Sequence, residues 1–352
     1  MKIHLLSGFL GSGKTTAIHQ AYTALKAQGI KTGVITNDQG VKLVDGDFFA
    51  SLGIPGREVI NGCFCCNYAN LDAGIASLIE TNETEIIFAE SVGSCTDIVA
   101  TVLKPLLKYR SADQVTVSSF ADVRLLQMML AEETAPFDET VRYIYLKQLE
   151  EAGIIVINKV DLIDKAQLQA VKQIMQKNYS SKILLYQNSL DNESIQQWLL
   201  AINHYQYGPS LASLHIDYDV YAAGEAKLGW VDQSLEIFSP ANNAVQLSEQ
   251  LINKIYATVQ ARQYPIGHIK FLVNKSVKIS FTAAREPQAA IPYSPGVSAA
   301  VLINMRVQTP PGMLAKLIAD AIHEIKVQSG AAIIITSLAA FQPGYPRPVY
   351  RM

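Results

Sequence analysis

The chain has 352 residues, 49% of them hydrophobic, and a formal net charge of -2. Such a length allows two domains with a substantial buried core, and the near-neutral balance offers no basic surface for nucleic acid or an anionic membrane. No apolar run is long enough to span a bilayer, and four cysteines, three of them within four positions, make no disulfide framework. The expectation is a cytoplasmic protein.

The first element in chain order is a short apolar strand, Ile3–Leu6. It leads into Gly8-Phe9-Leu10-Gly11-Ser12-Gly13-Lys14-Thr15-Thr16, a complete G-x-x-x-x-G-K-[ST] phosphate loop. A helix follows, with Ala17, Ala21 and Leu25 on one face. In this context the glycines Gly8, Gly11 and Gly13, with Ser12, let backbone N–H groups close around phosphate oxygens. The helix start at Lys14, Thr15 and Thr16 adds partial positive charge. Lys14 reaches the outer phosphates and the Thr15 hydroxyl ligates Mg²⁺.

The run Thr32–Thr36 predicts a second strand ending at Asn37-Asp38-Gln39-Gly40. Next comes Asn61-Gly62-Cys63-Phe64-Cys65-Cys66-Asn67. Cysteines at i, i+2 and i+3 share no face of a regular strand or helix, but in a glycine-started turn Cys63, Cys65 and Cys66 converge on one ion. Thiolates suit Zn²⁺, Co²⁺, Ni²⁺ or Cu(I). Packing or redox chemistry is the plainer alternative, and the fourth ligand is left open among water, Glu, His and Cys95. The run Glu85–Ala89 predicts a strand ending at Glu90-Ser91-Val92-Gly93. Asp38 and Glu90, both at strand ends, are the candidates to hold Mg²⁺ or orient water, and Gly40 and Gly93 give their loops freedom to move when the γ-phosphate leaves.

Further strands are predicted at Gln114–Phe120, Gly153–Asn158 and Lys182–Tyr186, with helices at Asn67–Thr81, Asp122–Ala131, Asp138–Glu151 and Gln167–Lys177. Short, non-alternating β-branched runs between helices imply a doubly wound, mostly parallel P-loop sheet with ligands at the strands' carboxyl ends. Asn158-Lys159-Val160-Asp161 closes one of these strands. The Asp161 carboxylate can accept from the ring N–H and the exocyclic amine of guanine, a donor pair adenine lacks, so GTP and GDP are favoured over ATP by a large factor. The Lys159 stem lies along the base, Asn158 holds the loop, and Asp161 also suits a helix N-cap.

Asn203–Ser213 reads as a linker between a GTPase domain at 1–205 and a smaller domain at 214–352. Beyond it, alternating runs and two amphipathic helices give β-α-β-β-α-β, a split βαβ, ferredoxin-like α+β layout. His268 is either a partner-facing residue or a strand-edge histidine. The tail Phe341–Met352, with three prolines, is an extended arm that covers the second domain or docks a partner.

These motifs, in this order, resemble the CobW-type GTPases, relatives of the HypB and UreG metallochaperones. The resemblance implies slow GTP hydrolysis, Mg²⁺ near Thr15, Asp38 and Glu90, and a transition-metal site on Cys63, Cys65 and Cys66. It also implies delivery of zinc, cobalt or nickel to a client metalloprotein or corrinoid-related protein, by a monomer or homodimer that binds neither nucleic acid nor membrane. The chain departs from the family in having six scattered histidines rather than a histidine-rich stretch, in Asp38 where Glu is frequent, and in Cys95-Thr96-Asp97 where a small residue and Asp-Pro are usual. An ATP-dependent kinase or ligase with a structural zinc, and a non-catalytic metal sensor, are the competing functions.

Overall fold

The computed structural model describes residues 1–40, 44–110, 113–131, 135–207 and 212–352; residues 208–211 of the expected linker lie outside them. Through the first part of the chain the elements are β1 (Lys2–Ser7), α1 (Lys14–Ala27), β2 (Thr32–Asn37), α2 (Val44–Ser51), β3 (Gly56–Val59), α3 (Tyr68–Asn82), β4 (Ile86–Glu90), α4 (Lys104–Tyr109), β5 (Gln114–Asp122), α5 (Val123–Leu130), α6 (Glu139–Glu151), β6 (Ile154–Asn158), α7 (Lys165–Asn178), β7 (Ile183–Gln187), α8 (Asn192–His204) and α9 (Tyr218–Lys227). Seven strands form one sheet in the order β3-β2-β4-β1-β5-β6-β7, each pair parallel. β2, β4 and β6 are buried along their whole length, which is why their sequences are continuous apolar runs rather than alternations. The parallel order brings every β-to-α loop to one edge. There the ends of β1, β2, β3, β4, β5 and β6 present the phosphate loop, Asn37, the cysteine turn, Glu90, Asp122 and Asn158.

The second part contains β8 (Gly229–Phe238), α10 (Ala244–Ala261), β9 (Ile266–Val273), β10 (Val277–Thr282), β11 (Ser298–Val307), α11 (Pro311–Ser329) and β12 (Ala332–Phe341). Its strands are antiparallel in the order β10-β9-β11-β8-β12. Without β10 this is the split βαβ order; β10 pairs with β9 at the sheet's edge as the hairpin that alternating Phe271, Val273, Val277, Ile279 and Phe281 around an Asn-Lys-Ser turn predict. Leu247, Leu251 and Ile255 of α10 and Leu314 and Ile318 of α11 pack with Ile237, Phe271 and Ile303 in one apolar core. His268 is buried at 5% exposure within β9, between β10 and β11, so it does not face a partner as a strand-edge residue would.

By contacts the chain divides into one compact unit of Met1–Gln39, Gly53–Gly224 and Tyr345–Met352 and another of Gly40–Leu52 and Glu225–Gly344. The sequence pattern has a single crossing after residue 205. Within the second unit, α2 lies on the face of the sheet away from α10 and α11: Val44 and Phe48 pack with Leu272 and Leu302, and the Val44 N–H donates to Asn304 Oδ1 at 2.8 Å. Asp45 pairs with Lys270 and Lys278 at 2.5 and 2.6 Å. Burial alone would raise its pKa, but the two ammonium groups hold the carboxyl well below the usual range.

The tail is a correction to its expected place. Residues 345–352 belong to the first unit, where the Tyr350 ring packs on Tyr68 at 5.1 Å and Arg351 Nε donates to Asp97 at 2.8 Å. Three prolines keep the arm extended, and a buried carboxylate and an aromatic neighbour give it anchors that periodicity cannot reveal. Among the described residues no helix is long and apolar enough to cross a membrane.

Candidate nucleotide and metal site

The phosphate loop turns sharply out of β1 because Gly13, at φ 93°, caps α1 in the left-handed region. A Cβ there would also meet the Asn158 amide nitrogen at 2.3 Å, so only glycine leaves the cradle open. Lys14 is 5% exposed and its ammonium donates to the carbonyls of Gly8 (2.6 Å) and Phe9 (3.3 Å). The cation is thus held over the loop that would receive the phosphates. Gly11, Ser12, Thr15 and Thr16 complete the loop and the first turn of α1. The backbone donors at this helix start and the Lys14 charge fit a polyphosphate.

Asn158, at the end of β6, ties the base-side loop to this cradle. Its Nδ2 donates to Ser12 O at 2.8 Å, and its Oδ1 accepts from the N–H and hydroxyl of Ser189 at 3.1 and 2.8 Å. Lys159, at φ 63°, donates to Gly11 O and to Asp122 Oδ2, both at 2.8 Å. Asp161 sits exposed on the short 3₁₀ turn Val160–Leu162, its carboxylate open to a base. The cap of the next helix is Asp164, which forms a capping box with Gln167; the cap role considered for Asp161 falls to that residue.

Thr15 and Glu90 meet directly. The Thr15 hydroxyl lies 2.9 and 3.1 Å from the two Glu90 carboxylate oxygens, and both residues are buried. Hard oxygen donors of this kind fit Mg²⁺. Asp38 follows β2, half-buried, with its backbone N–H donating to Val59 O at 3.1 Å. Gly93 places the loop after Glu90 against the phosphate loop: a Cβ there would come within 2.9 Å of the Leu10 nitrogen.

Across the same edge, Cys63, Cys65 and Cys66 converge, their sulfurs all within 4.8 Å of one another. The separations are 2.7 Å for Cys63–Cys65, 3.4 Å for Cys63–Cys66 and 3.7 Å for Cys65–Cys66, and all three thiols are free. In a tetrahedral zinc site with Zn–S of about 2.3 Å, sulfurs lie roughly 3.8 Å apart, so modest spreading of the closest pair accommodates an ion. Hydrogen bonds from the Cys65, Cys66 and Cys95 thiols draw the Cys63 pKa well below its ordinary value. The same contact with Cys63 pushes Cys66 up to about 11. Cys63 is the sulfur on which negative charge concentrates, as expected of the first ligand to lose its proton.

Two residues with no assigned role in the sequence pattern organise this edge. Asn37 donates from Nδ2 to Val59 O (2.9 Å) and Gly62 O (2.7 Å) and accepts at Oδ1 from the Phe64 N–H (2.9 Å). It therefore hangs the cysteine turn from the strand end that carries Asp38. Asp122, 3% exposed, caps α5 and pairs with Arg124 and Lys159 at 2.7 and 2.8 Å. Burial opposes its ionisation, but the Arg124 and Lys159 contacts lower its pKa overall. The tail reaches the turn as well, with the Val349 N–H on Cys65 O at 2.9 Å and the Arg347 N–H on Cys66 Sγ at 3.3 Å.

The family model of the CobW/HypB/UreG nucleotide-binding domain matches residues 2–185. The zinc chaperone YeiR of Escherichia coli (strain K12) is 30% identical over 192 residues, 53% of this chain and 54% of that protein. The zinc chaperone CobW of Sinorhizobium sp is 28% identical over 200 residues, 51% of this chain and 56% of that protein. The chain thus spans about half the length of the curated relatives it matches. Among solved structures, HypB from Helicobacter pylori in complex with nickel aligns with 59% of this chain and 90% of its own, at 17% identity and a TM-score of 0.43.

Proposed function

Because the chain belongs to the CobW/HypB/UreG family, whose nucleotide-binding domain it carries over residues 2–185, we propose that it is a GTP-hydrolysing metallochaperone in which nucleotide state and metal binding are coupled. GTP lies in the cradle with Lys14 on its outer phosphates and Asp161 on the guanine N–H groups. Water attacks the γ-phosphorus, the bond to the β–γ bridging oxygen breaks, and GDP and phosphate leave. Asp38 and Glu90 orient that water, and Thr15, Glu90 and Asp38 would hold Mg²⁺. When bound, Mg²⁺ supplies charge neutralisation at the phosphates. No arginine is placed by motif as a finger, so basal turnover is slow and rises with metal or client.

The cargo is a thiophilic ion on Cys63, Cys65 and Cys66. Zinc is favoured because relatives bear the name zinc chaperone, with cobalt and nickel as the other candidates, and the client is a metalloprotein or a corrinoid-related protein. One observation carries the coupling. The Asn37 side chain makes three hydrogen bonds into the cysteine turn and its neighbouring strand, while the next residue is Asp38, to which this reading gives the water-orienting role. A shift of Asp38 on loss of the γ-phosphate therefore reaches the thiols through one residue.

Anaerobic zinc titration of the wild type, with GTP and with GDP, tests this. About one zinc per chain with different affinities in the two forms is expected, and none for the Cys63/Cys65/Cys66 triple serine variant. Equal affinity in both forms removes the coupling, because a ligand biases only states it distinguishes.

A further inference from the structure

Cys66 is the half-buried member of the cysteine turn, whereas Cys63 and Cys65 are buried, so an ion or an incoming ligand meets the trio at Cys66. The extended arm 345–352 lies on that sulfur, with the Arg347 N–H 3.3 Å from Cys66 Sγ. We propose that the arm is a latch on the metal site: the Arg347 N–H holds the Cys66 sulfur in place as a ligand, and cargo leaves when the arm lifts. The proposal rests on reading Cys63, Cys65 and Cys66 as a metal site.

From residue 346 to 349 the arm reads Pro-Arg-Pro-Val. Proline has no N–H and fixes its own φ, and it confines the residue before it to extended backbone. Only Arg347 and Val349 therefore have N–H groups to give, and both go to the cysteine turn: Arg347 to Cys66 Sγ and Val349 to Cys65 O, the latter at 2.9 Å. The stiff, donor-poor stretch thus spends its whole donor supply on the candidate ligands. A neutral thiol is a weak acceptor. A thiolate, free or on an ion, receives a charge-assisted hydrogen bond from the same N–H, so the contact strengthens when metal is loaded.

Beyond the thiols the arm has its own anchors. The Tyr350 ring packs edge-on against Tyr68 at 5.1 Å and lies tilted on Tyr109 at 5.4 Å. Tyr68 opens α3 two residues after Cys66, so this ring contact bears on the backbone of the ligand turn itself. Arg351 Nε pairs with the Asp97 carboxylate at 2.8 Å, its terminal nitrogen donates to Leu214 O at 2.6 Å, and the Met352 N–H donates to Ala100 O at 3.0 Å. The Arg351 side chain is 40% exposed and Tyr109 53% exposed. A docking client reaches such anchors from the surface, and the arm can lift without opening the core.

Transfer of zinc from the loaded full chain to a chromogenic chelator, followed by stopped flow without nucleotide, tests the latch. Arg347→Pro deletes one N–H and no sulfur, and it should release zinc about 10- to 100-fold faster than the wild type. Tyr350→Ala and Arg351→Ala touch no ligand and should speed release in the same direction. Circular dichroism of the metal-free proteins checks folding, and the Tyr350 and Arg351 variants carry the test if Arg347→Pro does not fold. Release at the wild-type rate in the folded variants overturns the latch and leaves the metallochaperone reading standing. Weaker binding that comes from slower uptake alone, with release unchanged, overturns it as well, since a latch acts on the exit of the ion. A wild type that binds no zinc overturns both readings.

Discussion

In the phosphate cradle every cationic side chain rests on an oxygen: Lys14 on Gly8 O, Lys159 on Gly11 O and Asp122. The cysteine turn instead crowds three sulfurs within 4.8 Å, and two of the three are buried. The first region is complete in itself, because glycine dihedrals and backbone groups set its shape before any ligand arrives. The second has ligand atoms that satisfy one another only weakly, since S–H is a poor donor, and an ion would satisfy them far better. What differs is how each region is made ready for a ligand: by preorganised backbone on one side, and by clustered thiols that could hold a cation on the other. In the proposed coupling Asn37 is the joint between them.

The comparison breaks most visibly at the base. Asp161→Asn removes the acceptor for guanine's donor pair and should erase a preference for GTP over ATP of about 10⁴-fold, measured by competition against a fluorescent GTP analogue; a preference that survives would move guanine recognition elsewhere. Lys14→Ala should weaken GTP binding by on the order of a hundredfold or more. Zinc affinity without nucleotide should stay where it was, and a parallel loss would mean that the two regions are one site.

A pH profile probes the segment that follows Cys95. Glu151 is buried and accepts from Thr96 Oγ1 and the Val99 N–H, both at 3.3 Å, and burial pushes its pKa up to about 8. With the folded pKa raised above the unfolded value, the stability Glu151 confers is fully present below about pH 4.5 and is lost as pH rises through 8. Glu151→Gln should therefore flatten the decline in stability between pH 5 and 9, a difference on the order of a few kcal/mol in urea unfolding. Parallel pH profiles for the two proteins would show that the carboxyl ionises freely in place. The smallest effect belongs to Asn37→Ala, which leaves Phe64 N–H and two carbonyls without their partner. Zinc affinity should fall about 10- to 100-fold and the GTP-to-GDP difference in that affinity should shrink, while GTP binding changes far less. Full coupling in this variant would place the transmission on a route other than Asn37.

Residue order along the chain determined the parts whose chemistry is local. Gly13, Lys14 and Thr15 are adjacent, so strand, turn and helix start follow from backbone sterics. Asn158 to Asp161 sit in one turn, and Cys63, Cys65 and Cys66 converge because a glycine-started turn brings near neighbours together. The parallel sheet was legible too, since strands buried on both faces must be continuously apolar. Tertiary structure alone decided the rest. The grip of Asn37 on Gly62 and Phe64, the pairing of Asp122 with Lys159, the seat of residues 345–352 beside the thiols and that of α2 on the second sheet all join residues far apart in sequence. Such contacts carry no local periodicity, because they are set by which strands lie side by side and by which buried polar group needs a partner there.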